Sequence, residues 1–298
     1  MMIDRRQLLK LTSVGGGVVF ASALQGCASM ADGGSSASKD FFFVQLSDVH
    51  WGFKGDANPD AANTLRKAVD SVNRLDIKPD FIVFTGDLTH TTDDPGERRR
   101  RLAEFKDIVS KLQVPTVRFM PGEHDASLDF GAAYKEFFGP TFYTFDHKGV
   151  HFIALDNVSD PGAKIGEEQL AWFAKDLSVR KKTDPIVVLT HRPLFDLVPK
   201  WDWATRDGQQ AVDLLMPYQN VTVFYGHIHQ EHHHVTGHIA HHAAKSLIFP
   251  LPAPGSQERR TPLTWNAAVP NQGLGFREVQ SIETATNYKI VEFPVTQG

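Results

Sequence analysis

The sequence predicts an α/β domain built in layers, and three observations support that fold class. Short runs of β-branched and aromatic residues, typical of buried strands, alternate with segments of helical periodicity. The 298 residues, 41% hydrophobic and 22% charged, supply a sizeable core for one large domain or two modest ones. Several predicted strands end in glycine and polar residues, as strands do where an open α/β sheet presents a ligand site.

The first 27 residues differ in composition from the rest of the chain. Arg5 and Arg6 precede an uncharged run over residues 11–26. Paired arginines before a modest apolar segment are typical of a twin-arginine export signal. The run is short for a membrane span, which needs about 20 predominantly apolar residues, and its glycines disfavour a core helix. We therefore expect a twin-arginine type signal peptide over residues 1–27.

The only cysteine, Cys27, ends this segment, so the chain can form no intramolecular disulfide. Cys27 lies where a bacterial lipobox places its acylated residue, although Gln25 is unusual there and the small residues nearby could serve ordinary signal cleavage. Residues 28–39 are small and polar, which predicts a flexible linker. We expect an exported protein, periplasmic or anchored through acylated Cys27 on the outer side of the cytoplasmic membrane, with a folded domain over residues 40–298.

Strands and helices alternate from residue 40 onward. An amphipathic helix is predicted over residues 60–75, and a second helix starts at Pro95, a residue favoured in a first helical turn, and extends to Leu112. The other predicted helices open at Gly166 and cover residues 207–216, whereas residues 137–143 are expected to form a loop. Predicted strands cover residues 41–46, 81–84, 115–120, 150–155, 185–189, 221–225, 245–249 and 288–293.

Five of the predicted strands lead into residue types that bind metals. In chain order these residues are Asp48 and His50, Asp87, Glu123 with His124 and Asp125, His191, and His227 with His229. Because α/β sheets place ligands at the carboxyl ends of their strands, we expect these side chains to converge on a dinuclear metal centre. Imidazole ligands favour zinc, iron or manganese over magnesium and calcium.

The same residues form five ordered blocks: Asp-x-His at 48–50, Gly-Asp at 86–87, Gly-Glu-His-Asp at 122–125, His191, and Gly-His-x-His at 226–229. This order resembles the calcineurin-like metallophosphoesterase superfamily. The resemblance implies a four-layer α-β-β-α sandwich of two mixed sheets flanked by helices. It also implies two divalent or trivalent metal ions, iron, manganese or zinc, in a catalytic domain that spans residues 40–298.

The family's site roles transfer to matching positions as implications of the resemblance. The first metal would be bound by Asp48, His50 and His229, with Asp87 as the bridge, and the second by Glu123, His191 and His227. The resemblance implies that His124 approaches the phosphoryl group or protonates the leaving oxygen. Asp125 would fix the tautomer of His124 and raise its basicity.

Glu123 departs from the family pattern, which has asparagine at this position. A carboxylate adds a negative charge and a longer arm, so it should tighten metal binding and weaken the attraction of the metal pair for phosphate. Three outcomes are compatible with this change: an active enzyme with altered metal choice, a slow enzyme, or a metal-binding protein without catalysis. We expect retained activity, because every other ligand position is filled.

Two metal ions can neutralise an anionic phosphate ester and activate a bound water as nucleophile. We therefore expect metal-dependent hydrolysis of a small-molecule phosphate ester, and favour a phosphodiester. The alternatives are an exported phosphomonoesterase and, from a different class, a non-catalytic metal-binding protein on the same scaffold. The net charge of −4 gives no indication of nucleic-acid binding.

Three further features are expected to be structural, and a fourth is compatible with two interpretations. The run Arg98 to Arg101 predicts a solvated helix face, and the histidines at 232–234, 238, 241 and 242 predict a hairpin beside the centre. His90 and His151 are expected in local packing. Trp201 and Trp203 fit either a mobile loop over the site or a closed core.

Overall fold

The computed structural model describes residues 40–281 and 288–296. The predicted signal peptide and linker lie outside the described residues. None of the helices within the described ranges is both long and apolar enough to cross a membrane.

The first sheet is formed, within the described residues, by five strands: β1 (Phe41–Leu46), β2 (Phe81–Thr85), β3 (Val117–Met120), β10 (Gly275–Ser281) and β11 (Tyr288–Pro294). Their order across the sheet is β11-β10-β1-β2-β3. Strands β1, β2 and β3 are parallel, whereas β10 is antiparallel to both β1 and β11. The sheet is therefore mixed, and the loops after its three parallel strands leave from the same edge.

Six strands of the described part of the chain form the second sheet: β4 (Tyr143–His147), β5 (Val150–Ala154), β6 (Pro185–Leu189), β7 (Asn220–Tyr225), β8 (His232–Thr236) and β9 (Ile239–Ala243). They lie in the order β4-β5-β6-β7-β9-β8. Strands β5, β6, β7 and β9 are parallel, and the outer strands β4 and β8 pair antiparallel to their neighbours.

The helices within the described residues flank the two sheets. They are α1 (Ala61–Asn73), α2 (Pro95–Val109), α3 (Glu123–Ala126), α4 (Ala132–Phe138), α5 (Glu167–Ser178) and α6 (Gly208–Leu215). One core lies between the first sheet and α1 and α2, and another between the second sheet and α5 and α6. A third core lies between the sheets, where Phe43 meets Phe152 at 5.9 Å and Phe224 at 5.6 Å between ring centroids. The four-layer α-β-β-α sandwich is confirmed.

Two sequence expectations were wrong. Residues 245–249, of which Ser246, Leu247 and Ile248 are buried, form no strand, because they cross the end of β1, where the amide of Leu247 donates to the carbonyls of Ser47 (3.1 Å) and Asp48 (3.2 Å). The expected loop over residues 137–143 includes the end of α4 and the first residue of β4. Strand β10 was missed because buried polar residues interrupt its apolar pattern; one of them, Arg277, is paired with Glu292 on β11 at 2.6 Å.

Candidate metal centre

The predicted ligands lie in tight turns that follow the strands. Asp48, His50, Asp87, His227 and His229 adopt left-handed backbone conformations, with φ between 48° and 67°. Such values are uncommon for residues other than glycine and cluster at functional sites, because the surrounding fold must maintain them. The amide of His50 donates to the carbonyl of Asp87 at 2.8 Å, so the turns after β1 and β2 support each other.

Glycines allow these turns to approach one another closely. A Cβ atom on Gly122 would lie 2.0 Å from Asp87 Oδ1, and one on Gly226 would lie 2.0 Å from Ser47 Oγ. A Cβ atom on Gly86 would lie 2.3 Å from His191 Nδ1. Three of the sequence blocks therefore need glycine because a larger residue would displace a neighbouring turn.

The structure brings the predicted ligands together in two groups. The first consists of Asp48, His50, Asp87 and His229, all buried, with candidate ligand atoms within 4.8 Å of one another. His50 Nε2 lies 3.2 Å from His229 Nε2 and 3.3 Å from Asp87 Oδ2. His229 Nε2 lies 3.4 Å from Asp48 Oδ1. The arrangement matches the set assigned to the first metal.

The second group consists of Glu123, His191 and His227. The two carboxylate oxygens of Glu123 reach different imidazoles: Oε2 lies 3.0 Å from His191 Nε2, and Oε1 lies 2.8 Å from His227 Nδ1. Asp87 Oδ2 is also 3.4 Å from His191 Nε2, so Asp87 lies between the groups, in the bridging position. Binding of metal by these seven residues stays a prediction.

Hydrogen bonds on the outer side orient the imidazoles. Nδ1 of His191 faces the carbonyl of Thr85 at 2.7 Å, and Nδ1 of His229 faces that of Phe249 at 2.9 Å. A nitrogen beside a carbonyl must carry the proton, so when either ring is neutral, as a metal ligand must be, its Nε2 lone pair is directed at the centre. Outer partners of this kind fix the tautomer of histidines that bind metals.

The electrostatics of the centre favour a cation. Burial raises the pKa of Asp48 to about 8, and burial lowers the pKa of His229 to about 3. Burial also acts to raise the pKa of Glu123, but His227 and His191 outweigh it and hold that pKa well below its usual range. For His191, burial acts to lower the pKa, yet Asp87 and Glu123 raise it well above its ordinary value. The carboxylates of Asp87 and Glu123 thus stabilise a positive charge within the cluster.

The donor atoms fit a metal ion. His191 Nε2, His227 Nδ1 and Glu123 Oε2 are buried and make no well-aligned hydrogen bond within the described part of the chain, although Glu123 approaches both imidazoles to 2.8–3.0 Å. Buried polar atoms without a partner are costly and rare, and here all three face one another. A set of carboxylate and imidazole donors suits zinc, iron or manganese.

His124 lies at the border of both groups, with a ring nitrogen within 4.8 Å of ligand atoms of Asp87 and Glu123 in one set and of His50 and His90 in another. Its Nε2 is 4.0 Å from Asp87 Oδ2, and its side chain is 28% exposed, more than the 2% of Asp87. The amide of Thr91 donates to His124 Nδ1 at 3.3 Å, and the hydroxyl of Thr91 lies 2.6 Å from the same atom. Neutral His124 therefore carries its proton on Nε2, the nitrogen that faces the centre.

The role expected for Asp125 was wrong. Its carboxylate is buried and accepts from the amides of Gly122 (2.9 Å), Leu88 (2.9 Å) and Thr89 (2.8 Å), so it is committed to backbone donors instead of the ring of His124. Asp125 thereby ties the turn that carries Glu123 to the turn that carries Asp87. Thr91 takes the position beside His124, and no spacing in the sequence indicated it.

Two more residues lie at the centre: His90, for which local packing was expected, and Arg192, which was assigned no role. His90 Nδ1 lies 3.3 Å from His50 Nδ1, and the ring of His90 stacks on His124 with centroids 5.0 Å apart. Arg192, which directly follows a predicted ligand, is buried and extends toward Glu123. The expectation of local packing holds for His151, which lies between Asp146 and Asp176 at 2.7 and 2.8 Å.

The remaining candidates have structural roles. Each arginine of the run at 98–101 is paired with a carboxylate: Arg98 with Asp129, Arg99 with Glu136, and Arg100 and Arg101 with Glu97. Trp201 and Trp203 are buried in a small core, so they do not form an open lid. The hairpin histidines belong to β8 and β9 or to the turn between them, and none joins a ligand group found among the described residues.

A sequence model of the calcineurin-like phosphoesterase family matches residues 43–231, a span that contains every predicted ligand. A probable cyclic nucleotide phosphodiesterase of Rhodococcus erythropolis is 30% identical over 204 residues, which cover 63% of this chain and 64% of the relative. A probable glycerophosphodiester phosphodiesterase of Arcobacter nitrofigilis is 28% identical over 203 residues, 63% of this chain and 71% of that protein. The match therefore spans just under two thirds of the Rhodococcus relative.

The fold has solved counterparts. The crystal structure of a dimetal phosphatase from Danio rerio superposes with a TM-score of 0.57 at 15% identity, and the alignment covers 87% of this chain and 99% of that one. At this identity the likeness supports the shared fold alone.

Proposed function

Because the chain belongs to the calcineurin-like phosphoesterase family, we propose that it hydrolyses a phosphate diester at the cluster around Asp87. One observation carries the proposal: two groups of imidazole and carboxylate donors meet at this carboxylate, and the protonated nitrogen of His124 lies 4.0 Å from its Oδ2. The centre thus combines donors for two cations with a proton donor beside them.

The first metal ion would be bound by Asp48, His50 and His229, and the second by Glu123, His191 and His227. Asp87 would be a ligand shared by both ions. When bound, iron, manganese or zinc would supply charge to the phosphoryl oxygens and activate water. The amide of His227 donates to both oxygens of Asp48, at 3.0 and 3.1 Å, and the amide of His124 donates to Asp87 Oδ1 at 3.0 Å. These bonds hold both carboxylates in position before substrate binds. Such preorganisation lowers the activation free energy of the reaction.

As the imidazolium, His124 would transfer the proton of Nε2 to the departing alcohol oxygen and become neutral imidazole, with its Nδ1 proton hydrogen-bonded to the Thr91 hydroxyl 2.6 Å away. Nε2 faces the centre because Nδ1 is turned toward the amide and the hydroxyl of Thr91. After transfer, the neutralised alkoxide leaves as an alcohol, which matters most for esters with poor leaving groups. The other product would be a phosphate monoester, and the side-chain exposure of His124, 28%, provides a solvent route for reprotonation.

The preference for a diester rests on relatives named as phosphodiesterases. The test is hydrolysis of bis(p-nitrophenyl) phosphate by the full chain loaded in turn with manganese, iron and zinc. Asp87→Asn should reduce turnover more than about a hundredfold, because it removes the shared charge. Asp93→Asn, which changes an exposed carboxylate outside the cluster, should leave turnover unchanged.

The alternatives give different results in the same assay. A phosphomonoesterase would prefer p-nitrophenyl phosphate to the diester. A non-catalytic metal-binding protein would retain metal, as measured by atomic emission, and hydrolyse neither ester under any loading. Equal turnover of wild type and Asp87→Asn would contradict the proposed centre.

Export is a further part of the proposal. Arg5, Arg6 and Cys27 support a twin-arginine signal with lipid attachment, which would place the enzyme outside the cytoplasmic membrane. Mass spectrometry of the mature amino terminus distinguishes acylated Cys27 from ordinary cleavage.

A further inference from the structure

Arg192 is a buried cation that the ligand assignment leaves unused. Its side chain is 4% exposed and anchored on one side. Nε donates to the carbonyl of Ala204 at 2.8 Å, and Nη2 lies 2.9 Å from a carboxylate oxygen of Asp202 and also donates to the carbonyl of that residue. The guanidinium plane is therefore fixed by the segment that follows the Trp201 turn.

The remaining nitrogen of Arg192 is directed at the candidate centre. Nη1 lies 4.0 Å from Glu123 Oε1, which is too long for a hydrogen bond. Glu123 Oε1 is instead 2.8 Å from His227 Nδ1. Nη1 forms no hydrogen bond with any described residue, so two N–H donors of a rigid, buried guanidinium are available beside the two ligand groups.

Charge also favours an anionic ligand at this position. Glu123 brings a negative charge where the family pattern has a neutral amide, and Arg192 supplies the nearby positive charge that offsets it. A guanidinium binds phosphate oxygens through directed, charge-assisted hydrogen bonds. Since the side chain is already held by Ala204 and Asp202, little conformational freedom is lost on binding.

We propose that Arg192 Nη1 binds a non-bridging oxygen of the phosphoryl group, and so restores the attraction for phosphate that Glu123 weakens. This inference rests on the proposed phosphoesterase function and adds a substrate-binding residue to it. Arg192 would select for the anionic phosphoryl group itself and not for the organic part of the ester.

The probe is inorganic phosphate, titrated by calorimetry into the full chain loaded with manganese. Arg192→Gln should raise the dissociation constant about tenfold or more, with the same number of bound metal ions as wild type. Arg192→Lys keeps the charge but loses the planar fork, so its dissociation constant should fall between the two. Asp202→Asn removes the outer ion pair that holds the guanidinium while Nη1 remains, so it should raise the dissociation constant much less than Arg192→Gln does.

Two results would overturn the assignment: equal phosphate affinity of wild type and Arg192→Gln, or an equal loss in Asp202→Asn, which would make Arg192 only an anchor for its loop. Binding is measured without turnover, so it is separate from the proposed activity. If wild type binds phosphate through Arg192 but hydrolyses no ester, the proposed function fails and the inference stands.

Discussion

Thr91 determines which nitrogen of His124 carries the proton. Its amide donates to Nδ1 of the neutral ring, and its hydroxyl is placed to accept from Nδ1 of the imidazolium, so in both states Nε2–H is directed at the cluster. The carbonyl of Thr91 is in turn held by Arg101 Nη1 at 3.3 Å, and Arg101 Nε is paired with Glu97 at 2.8 Å. An arginine expected only on a solvated helix face therefore supports the position of the proposed acid.

Thr91→Val tests the hydroxyl of this pair. The variant keeps the backbone amide but loses the group 2.6 Å from His124 Nδ1, so the ring is less well oriented and the imidazolium less stabilised. We expect kcat to fall about tenfold or more, with the larger loss for diesters of poor leaving groups. Thr91→Ser restores the hydroxyl and should recover most of the rate. A uniform loss across all leaving groups would argue for a structural role only.

The contact between Thr91 and His124 shows where residue-level prediction ends. The ligands could be predicted, because each follows an apolar strand in a short recognisable block. Thr91 stands 33 positions before His124 and meets it through side-chain orientation, which sequence spacing does not encode. For the same reason Asp125 was assigned to the ring that follows it in sequence, although its carboxylate faces three backbone amides.

At the scale of elements, the turns after the strands specify the centre more than the strands do. Strands β1, β2, β5, β6 and β7 were predictable, because they are buried on both faces and form continuous apolar runs. Strand β10 was not, because Arg277 is buried by pairing with Glu292 on a neighbouring strand. A pairing between residues of distant segments leaves no pattern of apolar residues in the local sequence.

Gly122→Ala tests the close packing of these turns. Gly122 has an ordinary φ of −104°, so the cost is steric: the new Cβ would lie 2.0 Å from Asp87 Oδ1 and 2.1 Å from its amide nitrogen. We expect a loss of about 1–3 kcal/mol in the free energy of unfolding, measured with urea, together with loss of bound metal.

Gly149→Ala is the matched control for this substitution. Gly149 has a φ of 85° and open space around its Cα, so alanine should cost about 1–2 kcal/mol of stability through backbone strain alone. Its metal content should remain that of wild type. Normal metal content in Gly122→Ala would show that the turn can move away from Asp87 without losing the centre.

At the scale of the whole molecule, the packing of the two sheets against each other forms the centre. Asp48, His50, Asp87 and Glu123 follow strands of the first sheet, and His191, His227 and His229 follow strands of the second. The amide of Gly226 donates to the carbonyl of His191 at 3.0 Å within the second set, whereas that of His227 reaches Asp48 across the sets. Any loss of sheet packing should therefore separate the two halves of the cluster. The sandwich was predicted through family resemblance, since neither periodicity nor composition indicates how sheets pair.

Packing at this scale also buries a titratable residue away from the centre. His241 on β9 is fully buried, and neither ring nitrogen has a hydrogen-bond partner within the described ranges. It packs against Phe195 and lies near His234, with ring centroids 5.3 and 5.9 Å away. Burial lowers the pKa of His241 to about 3, from an ordinary value of 6.5.

The shift gives the fold a defined sensitivity to acid. Above pH 6.5 the ring is neutral in both states, so it contributes no pH dependence. Between pH 6.5 and about 3 the unfolded chain binds a proton that the folded chain excludes, so stability falls as pH falls, by about 1.4 kcal/mol per unit at most.

His241→Phe removes this penalty. As pH is lowered from 7 to 5, the free energy of unfolding of the variant should increase relative to wild type by about 1–2 kcal/mol, and its melting temperature relative to wild type should rise accordingly. His241→Leu separates packing from titration, because the two variants can differ at pH 7 but must share the same slope against pH. Melting curves recorded at constant metal concentration provide the measurement, and parallel curves for wild type and both variants would mean that His241 is protonated within the fold.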